Sequence, residues 1–257
     1  MAMNVTFIGS GNVATHLALA LHNRGCQISE IWSRDYSHAQ LLAGRVGAKP
    51  TDQLASLDKT ADVYILAVSD DAIFDMALDL RLGNALVLHT SGATSMEVLK
   101  PISKRYGVLW SPQTFVRDVA LEYETLPFCI EGCDARTEKD IESLIGQVSN
   151  HIYHTDREQR QYLHLSAVFV NNFANALYGV AQNICNTHNI PFEVLYTLIA
   201  TTTQRVKWGD IRYQMTGPAV RNDTKTLDAH RRLLANDPDF LSLYNELTKI
   251  IQERIKF

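Results

Sequence analysis

The residues Gly9-Ser10-Gly11-Asn12-Val13-Ala14 stand between the apolar run Val5-Thr6-Phe7-Ile8 and a segment of helical periodicity, residues 13–23. A glycine-spaced turn joining a buried strand to a helix leaves few folds open to the chain. The first glycine permits a tight turn, and the second removes a side chain where another group must approach the backbone. The small residue at position 14 lets helix and strand pack closely. Val13, Leu17, Ala20 and Leu21 fall on one side of the helix, and Gly25 ends it. The start of such a helix offers unpaired N–H groups and the positive end of its dipole, which suits phosphate. The turn therefore predicts a dinucleotide site, with Gly9, Ser10, Gly11, Asn12 and Val13 around the pyrophosphate.

The rest of the first half alternates strand and helix. Strands are predicted at 27–32, 62–68, 85–89, 108–110, 128–131 and 151–154, with helices at 37–46, 71–80 and 137–148. The run 62–68 is almost wholly apolar, as a strand buried on both faces requires. This order implies right-handed crossovers and an α/β Rossmann domain, a doubly wound, mostly parallel sheet, over residues 1–154. From residue 155 the pattern is helical only, with stretches at 156–188, 191–206, 218–234 and 238–255, so residues 155–257 are expected to be an all-α domain.

The end of the second strand discriminates between cofactors. NAD enzymes usually place Asp or Glu there to hold the ribose hydroxyls. Here the strand ends Ile31-Trp32-Ser33-Arg34, and no carboxylate occurs until Asp35. Ser33 can donate to a 2′-phosphate, and Arg34 can pair with it and stack on adenine. That spacing points to NADP. Tighter binding of NADH, with indifference to Arg34→Ala, would mark the NAD alternative. Ligands of such sheets lie beyond the carboxyl ends of the strands. Val68 and Ser69, His89-Thr90-Ser91-Gly92, and Trp110-Ser111-Pro112-Gln113 should therefore surround the nicotinamide, with Ser91 toward the cofactor and Gln113 toward the substrate. Asp71 reads as a helix cap.

Between Gln161 and Ile190 there is no Asp, Glu, Lys or Arg, which predicts a central, buried helix. His164, Asn171, Asn175 and Gln182 fall on one narrow face of it, with Asn172 at the edge, and Phe169, Phe173, Leu177, Val180 and Ile184 opposite. His164 is a candidate proton donor and Asn172 an orienter, beside the alternative of a structural histidine. The third helical stretch is expected to open with Thr216 as cap and Pro218 in the first turn. Arg221 is a candidate anchor for an anionic substrate, and Asp223 reads as structural.

A formal net charge of −4 gives no basic footprint for nucleic acid. Residues 1–4 lack the basic start of an export signal, and His164, Asn171, Asn172, Asn175 and Gln182 interrupt the longest uncharged stretch, so no membrane span and a cytoplasmic location are expected. Cys129 and Cys133 are the only close cysteine pair, and no second pair completes a zinc site. His151 and His154 have too few polar neighbours to carry a metal.

Essentially the whole chain resembles the Rossmann-like proteins described as deazaflavin-dependent NADP oxidoreductases, joined to a helical C-terminal domain of unknown function. These are relatives of pyrroline-5-carboxylate reductase and the beta-hydroxyacid dehydrogenases. The resemblance rests on residues 8–14, 89–93, 111–115, 163–173, and 216–223 with His230. It implies an interdomain cleft, a small-molecule substrate, and a homodimer formed through the helical domain. Beta-hydroxyacid dehydrogenases carry a catalytic lysine on the long helix, and this helix has none, so His164 becomes the candidate. The expected activity is hydride transfer between nicotinamide and a small carbonyl, imine or deazaflavin-type acceptor. The alternative is a non-catalytic dinucleotide sensor or scaffold, which would bind NADPH tightly without turnover.

Overall fold

A computed structural model describes residues 3–253 of the chain and divides them into two compact units, Met1–Val170 and Asn171–Phe257. The first is built on one eight-stranded sheet. Its elements are β1 (Asn4–Ile8), α1 (Asn12–Asn23), β2 (Gln27–Trp32), α2 (Tyr36–Val46), β3 (Lys49–Thr51), β4 (Val63–Leu66), α3 (Asp70–Asp79), β5 (Gly83–His89), β6 (Ser103–Trp110), β7 (Pro127–Gly132), α4 (Ala135–Ile145), β8 (His151–His154) and α5 (Arg157–Ala167). The strand order is β3-β2-β1-β4-β5-β6-β7-β8, parallel except where β7 runs against β6. This is the expected doubly wound architecture.

Alternation along the strands divides the core between the two faces. Val5, Phe7, Val63 and Ile65 pack with α1, α2 and α4, while Tyr64, Leu66 and Val87 pack with α3. Because β1 lies between β2 and β4, the direction of winding reverses beside it. The crevice at that reversal is where open α/β sheets bind ligands. Two hydrogen bonds hold the glycine turn there: Gly9 N–H donates to the Trp32 carbonyl, and Ala67 N–H to the Ile8 carbonyl, both at 2.8 Å.

The structure moves several expected boundaries. Strand β6 begins five residues before the apolar run 108–110, because Lys104 and Arg105 break the pattern; Arg105 meets Asp140 on α4 at 2.6 Å. The cap position of α3 is Ser69, and Asp71 lies in the first turn beside Asp70, where a carboxylate favours the helix dipole without capping it.

In the second unit the long helix continues through a π-helical turn at Val168–Phe173 into α6 (Ala174–Thr187), followed by α7 (Tyr196–Arg205), α8 (Thr224–Leu233) and α9 (Pro238–Glu253). Residues 1, 2 and 254–257, where the expected first domain begins and the expected helical domain and its last helix end, lie outside the described residues. Helix α8 starts at Thr224 rather than at Pro218. Gly217 at φ +105° and Asn222 at φ +52° cannot belong to a right-handed helix, and the cap is Asp223, whose carboxylate accepts the Thr226 N–H at 3.2 Å. Thr216 therefore does not cap a helix, and Asp223 has the structural role expected of it. His230 and Tyr244 join α8 to α9 through an Nδ1 to hydroxyl hydrogen bond of 2.9 Å.

The expectation of a buried central helix fails within this chain. His164, Asn171, Asn175 and Gln182 are exposed, and so are Phe169, Phe173, Leu177 and Ile184 on the opposite side. On α6 only Cys185 is buried. An uncharged composition did not by itself place this helix in the core of the chain.

Candidate active site

Strand β1 delivers the chain to Gly9 at φ +117°, where an added Cβ would collide with the Ala67 carbonyl. Gly11 differs. As N-cap of α1 it has an ordinary φ of −74°, and a Cβ there would meet nothing within 4 Å. No side chain caps α1 and no acid occupies its first turn, so its leading N–H groups have no side-chain acceptor. The turn forms one wall of a cleft of about 380 Å³, which is also lined by Trp32, Ser33, Arg34, Ala67, Val68 and Ser69. Arg34 is exposed and makes no hydrogen bond or ion pair among the described residues. Asp35 lines the same cleft, but its carboxylate is engaged locally. Its carboxylate caps α2 by accepting the Ser37 N–H at 2.8 Å and hydroxyl at 2.6 Å, which hold its pKa below the ordinary value. An open helix start, an unneutralised guanidinium and a carboxylate already engaged as a helix cap together fit a phosphorylated dinucleotide.

The second part of the site lies beyond β5 and β6. Ser91 Oγ accepts N–H bonds from Ala93 at 3.1 Å and Thr94 at 3.0 Å, closing a tight turn around Gly92. A Cβ on Gly92 would stand 2.7 Å from Trp110 and 3.0 Å from His164. The rings of Trp110 and His164 meet edge-on with centroids 5.8 Å apart. The structure thus brings together three residues 18 and 54 positions apart in the chain: Gly92, Trp110 and His164. Gln113 is exposed, and its Oε1 accepts the N–H of Thr114. Asn172 and Arg221 are exposed in the second unit.

Beneath this loop lies a buried polar group that the sequence reading missed. Arg160, one turn before His164 on α5, has no exposed side-chain surface. Its Nη1 pairs with Glu131 on β7, and its Nη2 donates to the Thr94 carbonyl at 3.0 Å. One guanidinium therefore ties α5 to the loop on which His164 rests. A signal existed: Arg160 is the last charge before the uncharged stretch 161–190, where a solvated arginine has no reason to be singled out.

His89 closes the base of the loop. Its Nδ1 accepts the Ser91 N–H at 3.2 Å, which leaves the ring proton on Nε2. Burial, and secondarily the charge of Arg160, lower its pKa from 6.5 to about 4. The folded state holds this ring neutral while the unfolded chain protonates it near 6.5. Stability from this group is therefore complete above pH 6.5 and lost as pH falls toward 4, by about 3 kcal/mol in all. Urea unfolding between pH 7.5 and 4 should show this acid-side loss in the native chain, and a flatter profile in His89→Gln.

Residues 4–90 match the family described as NADP oxidoreductase, coenzyme F420-dependent, and residues 126–251 match a domain of unknown function, DUF2520. A search of curated protein sequences gives no match. Among solved structures, a Bacteroides fragilis protein assigned as an NADP oxidoreductase is 34% identical, with 98% of this chain and 99% of that one covered and a TM-score of 0.90. A Thermotoga maritima protein is 25% identical over 97% of each chain, with a TM-score of 0.76. The imine reductase of Aspergillus terreus, solved with NADPH4 and dibenz[c,e]azepine, is 13% identical over 99% of this chain and 95% of that one, and its TM-score of 0.70 indicates a shared fold.

Proposed function

We propose that this chain, which belongs to the family of NADP oxidoreductases joining a coenzyme F420-dependent-type domain to DUF2520, reduces a small carbonyl, imine or deazaflavin-type acceptor. It is an NADP-dependent oxidoreductase; the acceptor is our inference. The observation that carries the reading is the exposed His164 ring, held against Trp110 over Gly92 at the carboxyl ends of the strands.

In this reading the backbone of Gly9, Ser10, Gly11, Asn12 and Val13 receives the pyrophosphate, and Ser33 and Arg34 receive the 2′-phosphate. Val68 and Ser69 line the path between turn and loop, and Ser91 shapes the loop beside the nicotinamide. Bound NADPH supplies the hydride. The ring of His164 supplies the proton that the acceptor's heteroatom gains, which general acid catalysis by imidazole can do near neutral pH. Gln113 contacts the polar groups of the substrate. In the same reading residues 1–154 serve as the cofactor domain and 155–257 as the helical one, which begins with α5 of the first compact unit.

The test is NADPH oxidation against a panel of carbonyls, imines and deazaflavins. Turnover with at least one class is expected, and His164→Ala should lower kcat about 100-fold or more while NADPH still binds. Tight NADPH binding with no turnover in any class would favour the sensor reading instead.

The uncharged helical stretch also supports a homodimer. Phe169, Val170, Phe173, Leu177 and Ile184 expose 37–78% of their surface along one uncharged helical stretch. Apolar patches of this kind mark contact surfaces. A second copy of the chain is the proposed cover, because an isologous contact lets one such face bury itself. Light scattering should give about twice the 28.9 kDa chain mass. Leu177→Glu should yield a monomer.

A further inference from the structure

Helix α1 opens with no capping side chain and no acid in its first turn, so its N-terminal end is uncompensated positive potential. A cation placed there is disfavoured by the helix dipole. Yet Arg117 brings its guanidinium to that end, where Nη2 donates to the carbonyl of Ser10 at 3.3 Å. This is its one hydrogen bond among the described residues, and no carboxylate there pairs with it.

The placement is built rather than incidental. His16, buried within α1, donates from Nε2 to the carbonyl of Val116 at 2.8 Å. A carbonyl can only accept, so the ring proton sits on Nε2 and Nδ1 accepts the Tyr123 hydroxyl at 2.9 Å. The Phe115 ring lies 5.3 Å from the same imidazole. Residues 115, 116 and 123 are thereby fastened to the helix, and the residue after Val116 is delivered to the glycine turn.

We propose that Arg117 is a phosphate-binding residue, reaching the turn from the β6–β7 connection to pair with the pyrophosphate of the dinucleotide. The proposal rests on the cofactor reading above. A bound diphosphate supplies the negative charge that the chain leaves out, and the guanidinium N–H groups not used on Ser10 are free to donate to it.

Calorimetric titration tests it with three ligands: NADPH, 2′-phospho-ADP-ribose, and adenosine 2′-monophosphate, which lacks the diphosphate. Arg117→Gln should weaken the first two about tenfold and leave the third unchanged. Arg34→Gln should weaken all three. The ratio of native to Arg117→Gln affinity should shrink as salt rises, because a charge contact is screened whereas simple bracing of Ser10 is not. Arg117→Lys, which keeps the charge, should fall between the two. The residue is half-exposed, and thermal melts of the variants should match the native chain. Unchanged affinity of Arg117→Gln for the two diphosphates, or a ratio constant with salt, overturns the proposal while leaving the cofactor site standing. Failure of the native chain to bind NADPH overturns the cofactor reading and this proposal with it.

Discussion

Gly9→Ala should unfold the cofactor turn, whereas Gly11→Ala, two residues on, should fold like the native protein and lose the cofactor. At Gly9 a side chain meets two penalties. The backbone is at φ +117°, which L-residues rarely adopt, and the new Cβ would overlap the carbonyl of Ala67, a residue just past β4 that is tied to β1 through its N–H. Strain of this kind and a clash that rigid strands cannot relieve sum to about 3 kcal/mol or more. The loss should appear as a lowered urea midpoint and as absent NADPH binding. At Gly11 the φ is −74° and the space is open, so a methyl group costs the free protein little. It would instead occupy the approach to the helix N-terminus. Equal stability with affinity reduced at least tenfold is the expected result. A Gly11→Ala protein that binds NADPH normally would remove the phosphates from this turn.

Arg160→Met is the second large effect. The substitution fits the volume but leaves Glu131 facing a buried site without its cation, and the Thr94 carbonyl without its donor. Breaking a buried pair from one side costs about 3–5 kcal/mol, and the lower end applies here because Glu131 keeps some contact with water at 15% exposure. The double variant Arg160→Met with Glu131→Leu removes both charges and should regain much of that stability. Turnover should not return with it. The loop from Ser91 to Thr94 would still lack its tie to α5, so His164 would lose its fixed station over Gly92. Stability restored together with full kcat would show that Arg160 acts only on folding.

Much of the first unit was legible locally. The glycine turn, the strands at 27–32 and 151–154, and the helix ending at Gly47 all follow from neighbours in the chain. The errors have local causes as well. Lys104 and Arg105 hid most of β6 because they break its apolar pattern, and Asp140, which pairs with Arg105, lies on another element. Pro218 looked like a helix start, but the positive φ of Gly217 and Asn222 turns the backbone before Asp223 can cap. For the charge-free stretch, the absence of charge did not determine burial, and the helix lies exposed.

The glycine turn and the neighbouring Ser33 and Arg34 needed only the sequence, since hydrogen bonding, dihedral freedom and charge act there over a few residues. Tertiary structure alone decided the rest of the site. Arg117 meets Ser10 across 107 residues of chain, Arg160 meets Thr94 across 66, and His164 reaches Trp110 from a different element. Such contacts leave no periodic trace, because the sheet sets their geometry and not the spacing along the chain. The buried charges among them exist only once folding has excluded water and brought their partners within reach.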